Sequence, residues 1–204
     1  MSRRTKVASS PLGKDPLREF ARWFRKASGH SRIKLPEAMC LSTVGRDGAP
    51  HGRMLLLKGF GEKGFVFYTN LNSPKACDLK ENPTVAMTFY WEPLRRQVRI
   101  EGRVEPVSDA EADVYFASRP RLSQIGAWIS NQSEPLSSRL ILIRRFLSRL
   151  KEFGTGLVPR PPYWSGYRLI PDKIEFWEEK PNRLHDRFLY THKGNDWVMT
   201  RLYP

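Results

Sequence analysis

Three side chains near the carboxyl terminus could share one ligand. Arg183, His185 and Arg187 stand two residues apart in the chain. In an extended strand, alternate side chains project from the same face, so this spacing predicts two guanidinium groups and an imidazole aimed at one point. Like charges lie side by side where something anionic faces them, which suggests a phosphorylated or otherwise electron-rich ligand. A solvated basic edge strand would show the same pattern.

Two further segments carry groups of the same chemical kind. Arg53 begins and Lys58 ends an otherwise apolar strand, on opposite faces. Further along, Tyr68-Thr69 ends a strand and Ser73-Pro74-Lys75 begins a helix, where free backbone N–H groups and the helix dipole favour a phosphate. Charged strand ends and simple capping of the helix by Ser73 are the alternative explanations.

A third segment combines hydroxyl and guanidinium groups. Tyr115 and Arg119 are spaced one helical turn apart, on one face, and Ser123 follows after the break at Pro120. This set is a reasonable one for binding a phosphate. Trp177, which precedes the carboxyl-terminal triplet, is available to lie against a planar ring, although a tryptophan in a strand more often belongs to the core.

The chain of 204 residues is long enough for one self-sufficient domain, which we expect to span residues 15–204 after a flexible basic tail at residues 1–14. Its two cysteines, Cys40 and Cys77, form no CxxC pair and follow no secretory signal, which is typical of a cytoplasmic protein and speaks against a disulfide scaffold or a thiolate zinc site. No apolar run reaches the roughly 18 residues of a membrane span. We therefore expect no metal site and no membrane partner.

The net charge of +14 raises nucleic acid as a partner. The basic residues are spread along the chain, however, and no RNP, zinc-finger or helix-turn-helix pattern accompanies them. A basic balance describes non-specific association more than it describes a fold. We expect no specific nucleic-acid partner.

Strand and helix signals alternate along the chain. Asp15-Pro16 begins a helix, with Asp as the cap and Pro at the first helical position, and Ser108 with Glu111 forms a capping box that opens another. Strands are predicted at 38–44, 51–59, 65–69, 84–90, 97–105, 167–170, 174–178, 187–192 and 197–202, and further helices at 73–82, 123–130 and 137–153. Five strands, a helical excursion and more strands predict a mainly β protein with helices (α+β), in which an antiparallel barrel carries helices on its outside.

Taken in order, these segments resemble one family. From about Asp15 to Pro204 the chain is similar to pyridoxamine 5′-phosphate oxidase, also called pyridoxine 5′-phosphate oxidase. The resemblance rests on separated matches in register, namely Arg53…Lys58, Tyr68-Thr69, Ser73-x-Lys75, Arg96-Gln97, Ser118 to Trp128, Asn131-Gln132-Ser133, Glu175-Phe176-Trp177 and Arg183 to Phe188.

The resemblance implies a homodimeric split β-barrel of the FMN-binding type, with FMN at the subunit interface. It implies oxidation of pyridoxamine 5′-phosphate or pyridoxine 5′-phosphate to pyridoxal 5′-phosphate, with O₂ as acceptor and H₂O₂ as product. By resemblance, the FMN phosphate would contact Arg53 and Lys75, and the rest of the cofactor would contact Lys58, Tyr68, Thr69, Gln97, Gln132, Ser133, Trp177 and Arg187. The substrate phosphate would contact Lys58, Tyr115, Arg119 and Ser123. Arg183 and His185 would be the catalytic residues that hold the pyridine ring over the flavin.

The chain departs from the family pattern at three places: at Pro74, in the short segment before Asp15, and before Ala38-Met39, where the usual acidic residue is not clearly supplied. Pro74 stands where members usually carry Arg, so one charged phosphate contact is missing and weaker FMN binding is expected. Members usually have an amino-terminal segment that folds over the substrate, and the short stretch before Asp15 predicts a reduced lid.

Two other functions stay open. A related FMN oxidase of another small heterocycle, such as a phenazine precursor, should lack the phosphate set at Tyr115, Arg119 and Ser123. A non-catalytic flavin-binding or B6-phosphate-binding protein is the second alternative.

Overall fold

The computed structural model describes residues 12–194 and 196–204. Of the predicted tail, residues 1–11 lie outside the described residues. The helices are α1 (Pro16–Ser28), α2 (Pro74–Glu81), α3 (Asp109–Ser118), α4 (Arg121–Ile129) and α5 (Arg139–Phe153), with short 3₁₀ turns at Glu92–Leu94 and Pro181–Arg183. The strands are β1 (Ala38–Val44), β2 (Pro50–Leu56), β3 (Gly59–Gly61), β4 (Gly64–Asn70), β5 (Thr84–Trp91), β6 (Arg96–Pro106), β7 (Trp164–Glu178), β8 (Asp186–Lys193) and β9 (Asp196–Leu202). The α+β prediction is confirmed.

Local signals set several of these boundaries. The Asp15 carboxylate accepts hydrogen bonds from the backbone N–H groups of Leu17 at 2.8 Å and Arg18 at 3.3 Å, and Pro16 is the first residue of α1, as predicted. The Ser108 hydroxyl accepts from the Glu111 N–H at 3.2 Å at the start of α3. Only that half of the predicted capping box is present among the described contacts, because the Glu111 carboxylate pairs with the Arg168 guanidinium at 2.6 Å instead.

The strands form one hydrogen-bonded series in the order β2-β1-β5-β6-β7-β4-β3, and β8 pairs with β7 and β9. The β1–β2, β3–β4, β4–β7, β7–β8 and β8–β9 pairs are antiparallel. The predicted strand at 51–59 is in fact two strands, β2 and β3. The chain leaves β2 after Leu56, and the Lys58 N–H donates to the Val66 carbonyl of β4 at 2.8 Å.

The two strands predicted at 167–170 and 174–178 form the single strand β7. Pro171, which lies between the two predicted strands, has no backbone N–H to donate to a ladder. In the structure it falls between two pairings, since β4 pairs with β7 as far as Leu169 and β8 pairs with it from Lys173. The strand therefore continues through Pro171, which is outside the registers of both pairings.

Two compact units can be distinguished in the chain. The first comprises Met1–Glu37, Thr88–Ile100 and Asp172–Pro204, and the second comprises Ala38–Met87 and Glu101–Pro171. In the first unit the core is largely aromatic and includes Phe20, Trp23, Phe89, Trp91, Phe176 and Tyr190. The core of the second unit includes Met39, Leu41, Phe65, Phe67 and Met87, with a further cluster of Phe116, Ile125, Val158 and Trp164. No helix within the described ranges has the length and apolar character needed to cross a membrane.

Candidate active site

The second unit contains a cavity of about 580 Å³ whose wall carries most of the predicted binding residues of that unit. The end of β2 and the end of β4 form one part of the wall, and α3, α4 and the segment after α4 form the other. The lining residues are Met54, Leu55, Leu56, Lys58, Tyr68, Thr69, Asn70, Tyr115, Arg119, Ser123, Gly126, Ala127, Ser130, Gln132 and Trp164.

Stacked aromatic rings form one side of this cavity. The Tyr68 and Tyr115 rings lie 4.0 Å apart between centroids and the Tyr68 and Trp164 rings 5.2 Å apart, both nearly parallel. A Cβ at Gly166 would lie 2.7 Å from the Tyr68 ring, so the stack requires glycine at that position. Burial raises the pKa of Tyr68 to about 12, which keeps its phenol neutral. Sequence reasoning did not identify Trp164, since an aromatic residue at the start of a strand is usually core.

Arg119 lies in this cavity with an unsatisfied donor. Its guanidinium stacks over the Trp164 ring at 4.8 Å, and its Nη1 is buried without a hydrogen-bond partner in the described part of the chain. Burial lowers the pKa of this guanidinium. A buried donor of this kind is costly unless a ligand oxygen completes it, so the position favours an anion.

The prediction that Tyr115 and Arg119 share one helix face is wrong in detail. Helix α3 ends at Ser118, and Arg119 already has an extended backbone. The Gln124 side-chain amide donates to the carbonyls of Phe116, Ala117 and Arg119 at 3.0–3.1 Å and stabilises the turn between α3 and α4. Pro120 follows Arg119, and the residue before a proline is disfavoured in a helical conformation. The side chains nevertheless reach the same cavity, as does that of Ser123.

Lys75 is a buried cation held by neutral oxygens. Its ammonium donates to the Thr69 hydroxyl at 3.1 Å, the Ser73 hydroxyl at 3.0 Å and the Gln132 amide oxygen at 2.6 Å. Burial, with a smaller contribution from the charge of Arg53, lowers the pKa of Lys75 to about 8. Ser73 occupies the N-cap position of α2 but makes no capping hydrogen bond, because its hydroxyl donates to the Asn70 carbonyl at 2.7 Å. Simple capping is therefore the wrong explanation of this serine.

Arg53 lies on the β1–β2 hairpin. Its Nη1 donates to the Thr43 hydroxyl at 2.7 Å and to the Leu41 carbonyl at 3.2 Å. The buried Asp78 carboxylate of α2 accepts from the same Thr43 hydroxyl at 2.6 Å and from His51 Nδ1 at 2.9 Å. Sequence reasoning missed Thr43, His51 and Asp78. The signal that could have found Asp78 is its spacing of three residues from Lys75 on a short helix.

Gln132 and Ser133 follow α4. The Gln132 amide oxygen accepts from Lys75 and also lies 3.4 Å from the Thr69 hydroxyl. Ser133 has a left-handed backbone with φ of 72°, which is unfavourable for a residue with a side chain. Such strain is often found at binding sites.

The remaining predicted residues lie in the first unit. Gln97 is half-buried in β6. The Trp177 and His185 rings are 4.8 Å apart, and His185 Nδ1 accepts from the Lys180 N–H at 3.2 Å. In the neutral imidazole the proton is therefore on Nε2, which leaves that atom as a donor.

Arg187 of β8 is tied into the first unit by two contacts. Its Nε donates to the buried Glu175 carboxylate at 2.8 Å, and its Nη1 donates to the Tyr203 carbonyl at 3.1 Å. The hydrogen bond with Glu175 raises the pKa of Arg187. Arg99 also forms an ion pair with Glu175, at 2.8 Å, so this carboxylate binds two guanidinium groups.

The prediction that Arg183, His185 and Arg187 alternate on one strand is wrong. Strand β8 begins only at Asp186, and Arg183 ends the 3₁₀ turn Pro181–Arg183. Asn182 and Arg183 both have a left-handed backbone, with φ of 57° and 60°, which an extended strand does not permit. Arg183 is exposed, and His185 lines a second cavity of about 420 Å³ together with the last residues of the chain.

Comparison with solved structures defines the class of fold. The chain superimposes on a pyridoxamine 5′-phosphate oxidase-related, FMN-binding protein from Nostoc punctiforme with a TM-score of 0.74 and 17% identity, over 95% of this chain and 100% of that chain. It superimposes on PhzG from Burkholderia lata, solved in complex with tetrahydrophenazine-1-carboxylic acid, with a TM-score of 0.89 and 30% identity, over 97% and 98% of the two chains. The fold is the split barrel of this class of oxidoreductase.

Sequence comparison then gives the family. A family model for pyridoxamine 5′-phosphate oxidase matches residues 30–148, and one for the pyridoxine 5′-phosphate oxidase C-terminal dimerisation region matches residues 164–204. The chain is 49% identical to the pyridoxine/pyridoxamine 5′-phosphate oxidase of Rubrobacter xylanophilus over 98% of this chain and 92% of that protein, and 51% identical to that of Rhodospirillum rubrum over 96% and 100%. The chain belongs to the pyridoxamine 5′-phosphate oxidase family, as the sequence motifs predicted.

Proposed function

We propose that this protein is an FMN-dependent oxidase that converts pyridoxamine 5′-phosphate or pyridoxine 5′-phosphate to pyridoxal 5′-phosphate and reduces O₂ to H₂O₂. The observation that carries the proposal is the buried, unsatisfied Nη1 of Arg119 in the cavity of the second unit. Tyr115, Ser123 and Lys58 line the same cavity and add two hydroxyl groups and a second cation. This set suits the phosphate of a B6 vitamer.

The residues of the second unit also fit FMN. Lys75 is buried beside hydroxyl and amide oxygens, and no carboxylate pairs with it in the described part of the chain, so a phosphate would supply the missing counter-charge. Arg53 is the second cation for this phosphate. The parallel rings of Tyr68 and Trp164 and the oxygens of Thr69 are suited to the rest of a planar, polar cofactor.

The family resemblance assigns five further residues, all in the first unit, to the two ligands. We assign Gln97, Trp177 and Arg187 to the flavin and Arg183 and His185 to the substrate ring. The match to a dimerisation region at residues 164–204 supports a homodimer, in which both subunits would contribute to each FMN site. With Nδ1 engaged by the Lys180 N–H, His185 would present its Nε2–H to an oxygen or nitrogen acceptor on the substrate.

FMN, when bound, would supply the two-electron redox chemistry by which the 4′ carbon of the substrate is oxidised and O₂ is reduced to H₂O₂; with the amine substrate, water would replace the nitrogen, which leaves as ammonia. The protein's part is to bind the substrate phosphate and to orient the ring. Lys58, Arg119 and the hydroxyl groups of Tyr115 and Ser123 would bind the phosphate at one end of the substrate. Holding both ends in place converts an encounter in solution into an oriented complex, which is the main contribution that positioning makes to the rate.

The test is an absorbance spectrum of the purified protein, followed by addition of pyridoxine 5′-phosphate in air. We expect a flavin spectrum, formation of pyridoxal 5′-phosphate and an equal amount of H₂O₂, and only slow turnover of pyridoxine, which lacks the phosphate. Equal rates with both substrates would contradict the assignment of Tyr115, Arg119 and Ser123 and favour an oxidase of another heterocycle. Bound flavin without any turnover would favour a binding protein.

A further inference from the structure

The Arg53 guanidinium is surrounded by a cluster that none of the motifs explains. In the β1–β2 hairpin, Leu41 pairs with Arg53 and Thr43 pairs with His51, so these four residues share one face of the hairpin. Asp78 of α2 faces this surface, and its carboxylate is within hydrogen-bond distance of Thr43 and His51. The cluster therefore connects the helix that carries Lys75 with the strand that carries Arg53.

The distances show which bonds the Asp78 carboxylate makes. Its Oδ2 is 2.6 Å from the Thr43 hydroxyl and 2.9 Å from His51 Nδ1, but 3.7 Å from Arg53 Nη2. The last distance is too long for a hydrogen bond. Burial raises the pKa of Asp78, but the hydrogen bonds from Thr43 and His51 and the charge of Arg53 lower it by more. The pKa is therefore below its usual value, and the group is a carboxylate.

This arrangement determines what Arg53 can bind. Because the Thr43 hydroxyl gives its hydrogen to Asp78, its oxygen is oriented to accept from Arg53 Nη1. The guanidinium is thereby held by Thr43 and by the Leu41 carbonyl. Within the described ranges, Nε and Nη2 of Arg53 make no hydrogen bond and are available to an anion. A carboxylate bonded directly to Arg53 would occupy those donors instead.

We infer that Asp78 and Thr43 are positioning residues for the phosphate site: the carboxylate orients the Thr43 hydroxyl, and that hydroxyl holds the Arg53 guanidinium in the geometry that binds the FMN phosphate. His51 Nδ1 donates to the same Asp78 Oδ2 at 2.9 Å. This inference rests on the proposed function, since it assumes that Arg53 contacts the FMN phosphate. If Asp78 acted through its charge alone, its removal would tighten FMN binding, because a carboxylate near a phosphate site weakens anion binding.

The experiment measures FMN and riboflavin binding to the flavin-free protein by fluorescence titration. Riboflavin lacks the phosphate, so a defect in positioning Arg53 should affect FMN alone. We expect Asp78→Ala, which removes the acceptor, and Thr43→Val each to weaken FMN binding about tenfold, as for one lost hydrogen bond to a charged group, and to leave riboflavin binding unchanged. Thr43→Ser, which keeps the hydroxyl, should bind FMN like the wild type. Glu81→Gln, a change of an exposed acid on the same helix, is the matched control.

Several outcomes would overturn the inference. FMN binding that is unchanged or tighter in Asp78→Ala, while Arg53→Ala weakens it, would show that the carboxylate acts only as a charge. A parallel loss of FMN and riboflavin in Thr43→Val, or a loss in Thr43→Ser as large as in Thr43→Val, would show a general structural role. If the wild-type protein itself binds no FMN, the proposed function fails. If the wild type binds FMN and the variants bind it equally well, only this inference fails.

Discussion

Replacement of Lys75 by methionine should separate the stability of the protein from its ability to bind FMN. Lys75 is only 6% exposed, and burial lowers its pKa from 10.5 to about 8. At about 1.4 kcal/mol for each pKa unit, the folded flavin-free protein disfavours the ammonium relative to the neutral amine by about 3 kcal/mol. Its hydrogen bonds to Thr69, Ser73 and Gln132 are made to neutral oxygens and offset only part of the desolvation.

Lys75→Met keeps an unbranched side chain of similar length and removes the buried charge. We expect the free energy of unfolding of the flavin-free variant to be within about 1 kcal/mol of the wild type, or higher, because the lost hydrogen bonds are compensated by relief of the buried charge. FMN binding should weaken by about 1.5–3 kcal/mol, or roughly 10–150-fold, for the loss of one charge-assisted hydrogen bond. Urea unfolding and fluorescence titration measure the two quantities. Lys80→Met, at an exposed position of α2, is the control.

The same lysine predicts a pH dependence whose sign follows from its lowered pKa. Between about pH 8 and 10.5 the unfolded chain keeps a proton on Lys75 that the folded flavin-free protein has lost. This term therefore raises the stability of the flavin-free protein as the pH rises through that range. FMN affinity should fall over the same range, because the neutral amine offers no charge to the phosphate. Lys75→Met should show neither change.

Two results would refute this reasoning. A Lys75→Met protein that binds FMN as tightly as the wild type would show that Lys75 does not contact the phosphate. A variant that unfolds with several kcal/mol less stability would show that the ammonium is a structural group whose hydrogen bonds outweigh its burial.

Other substitutions test other parts of the site. Arg183→Ala should lower kcat/KM for pyridoxine 5′-phosphate and keep bound FMN, whereas Arg187→Ala should weaken FMN binding itself; flavin titration and steady-state kinetics decide, and the same defect in both variants would contradict the division of roles. Pro74→Arg should tighten FMN by about 1–3 kcal/mol if the new guanidinium reaches the phosphate, with Pro74→Ala as control; equal affinity of the two variants would show that the missing arginine is immaterial. Gly166→Ala should displace the Tyr68 ring and weaken FMN and substrate binding together, and unchanged affinities would show that the stack can shift at no cost.

Elements with a local cause could be predicted from the sequence. The cap at Asp15 and strand β1 at Ala38–Val44 agree with prediction, because a capping carboxylate and an alternating strand need no knowledge of distant residues. To predict that Tyr68, Tyr115 and Ser123 line one cavity, the family motifs were needed as well. Nothing in their spacing alone brings β4 and α3 together.

Features that depend on partners distant in sequence were missed. Spacing predicted a strand through Arg183, but the left-handed backbone at two successive residues turns the chain before β8 begins. The link between Asp78 and His51 spans 27 residues, and neither residue stands in a motif. The choice between capping and a binding role for Ser73 stayed open for a similar reason, since its hydrogen bond from Lys75 depends on how deeply the lysine is buried.

The strongest evidence for an anionic ligand is the contrast, within the second unit, between basic residues that pair with carboxylates and basic residues that do not. Arg160 and Arg168 are largely buried, and each pairs with carboxylates of α3, at 2.5 and 2.8 Å for Arg160 and 2.6 Å for Arg168. Lys75 is buried, and Arg119 is partly buried with its Nη1 enclosed, yet across the described residues no carboxylate pairs with either. A fold that needed these cations only for stability would have supplied carboxylates, as it does for the first pair. We therefore expect bound anions to supply the negative charge for the second pair, one in the cavity beside Arg119 and another beside Lys75, as the phosphates of the proposed substrate and flavin would do.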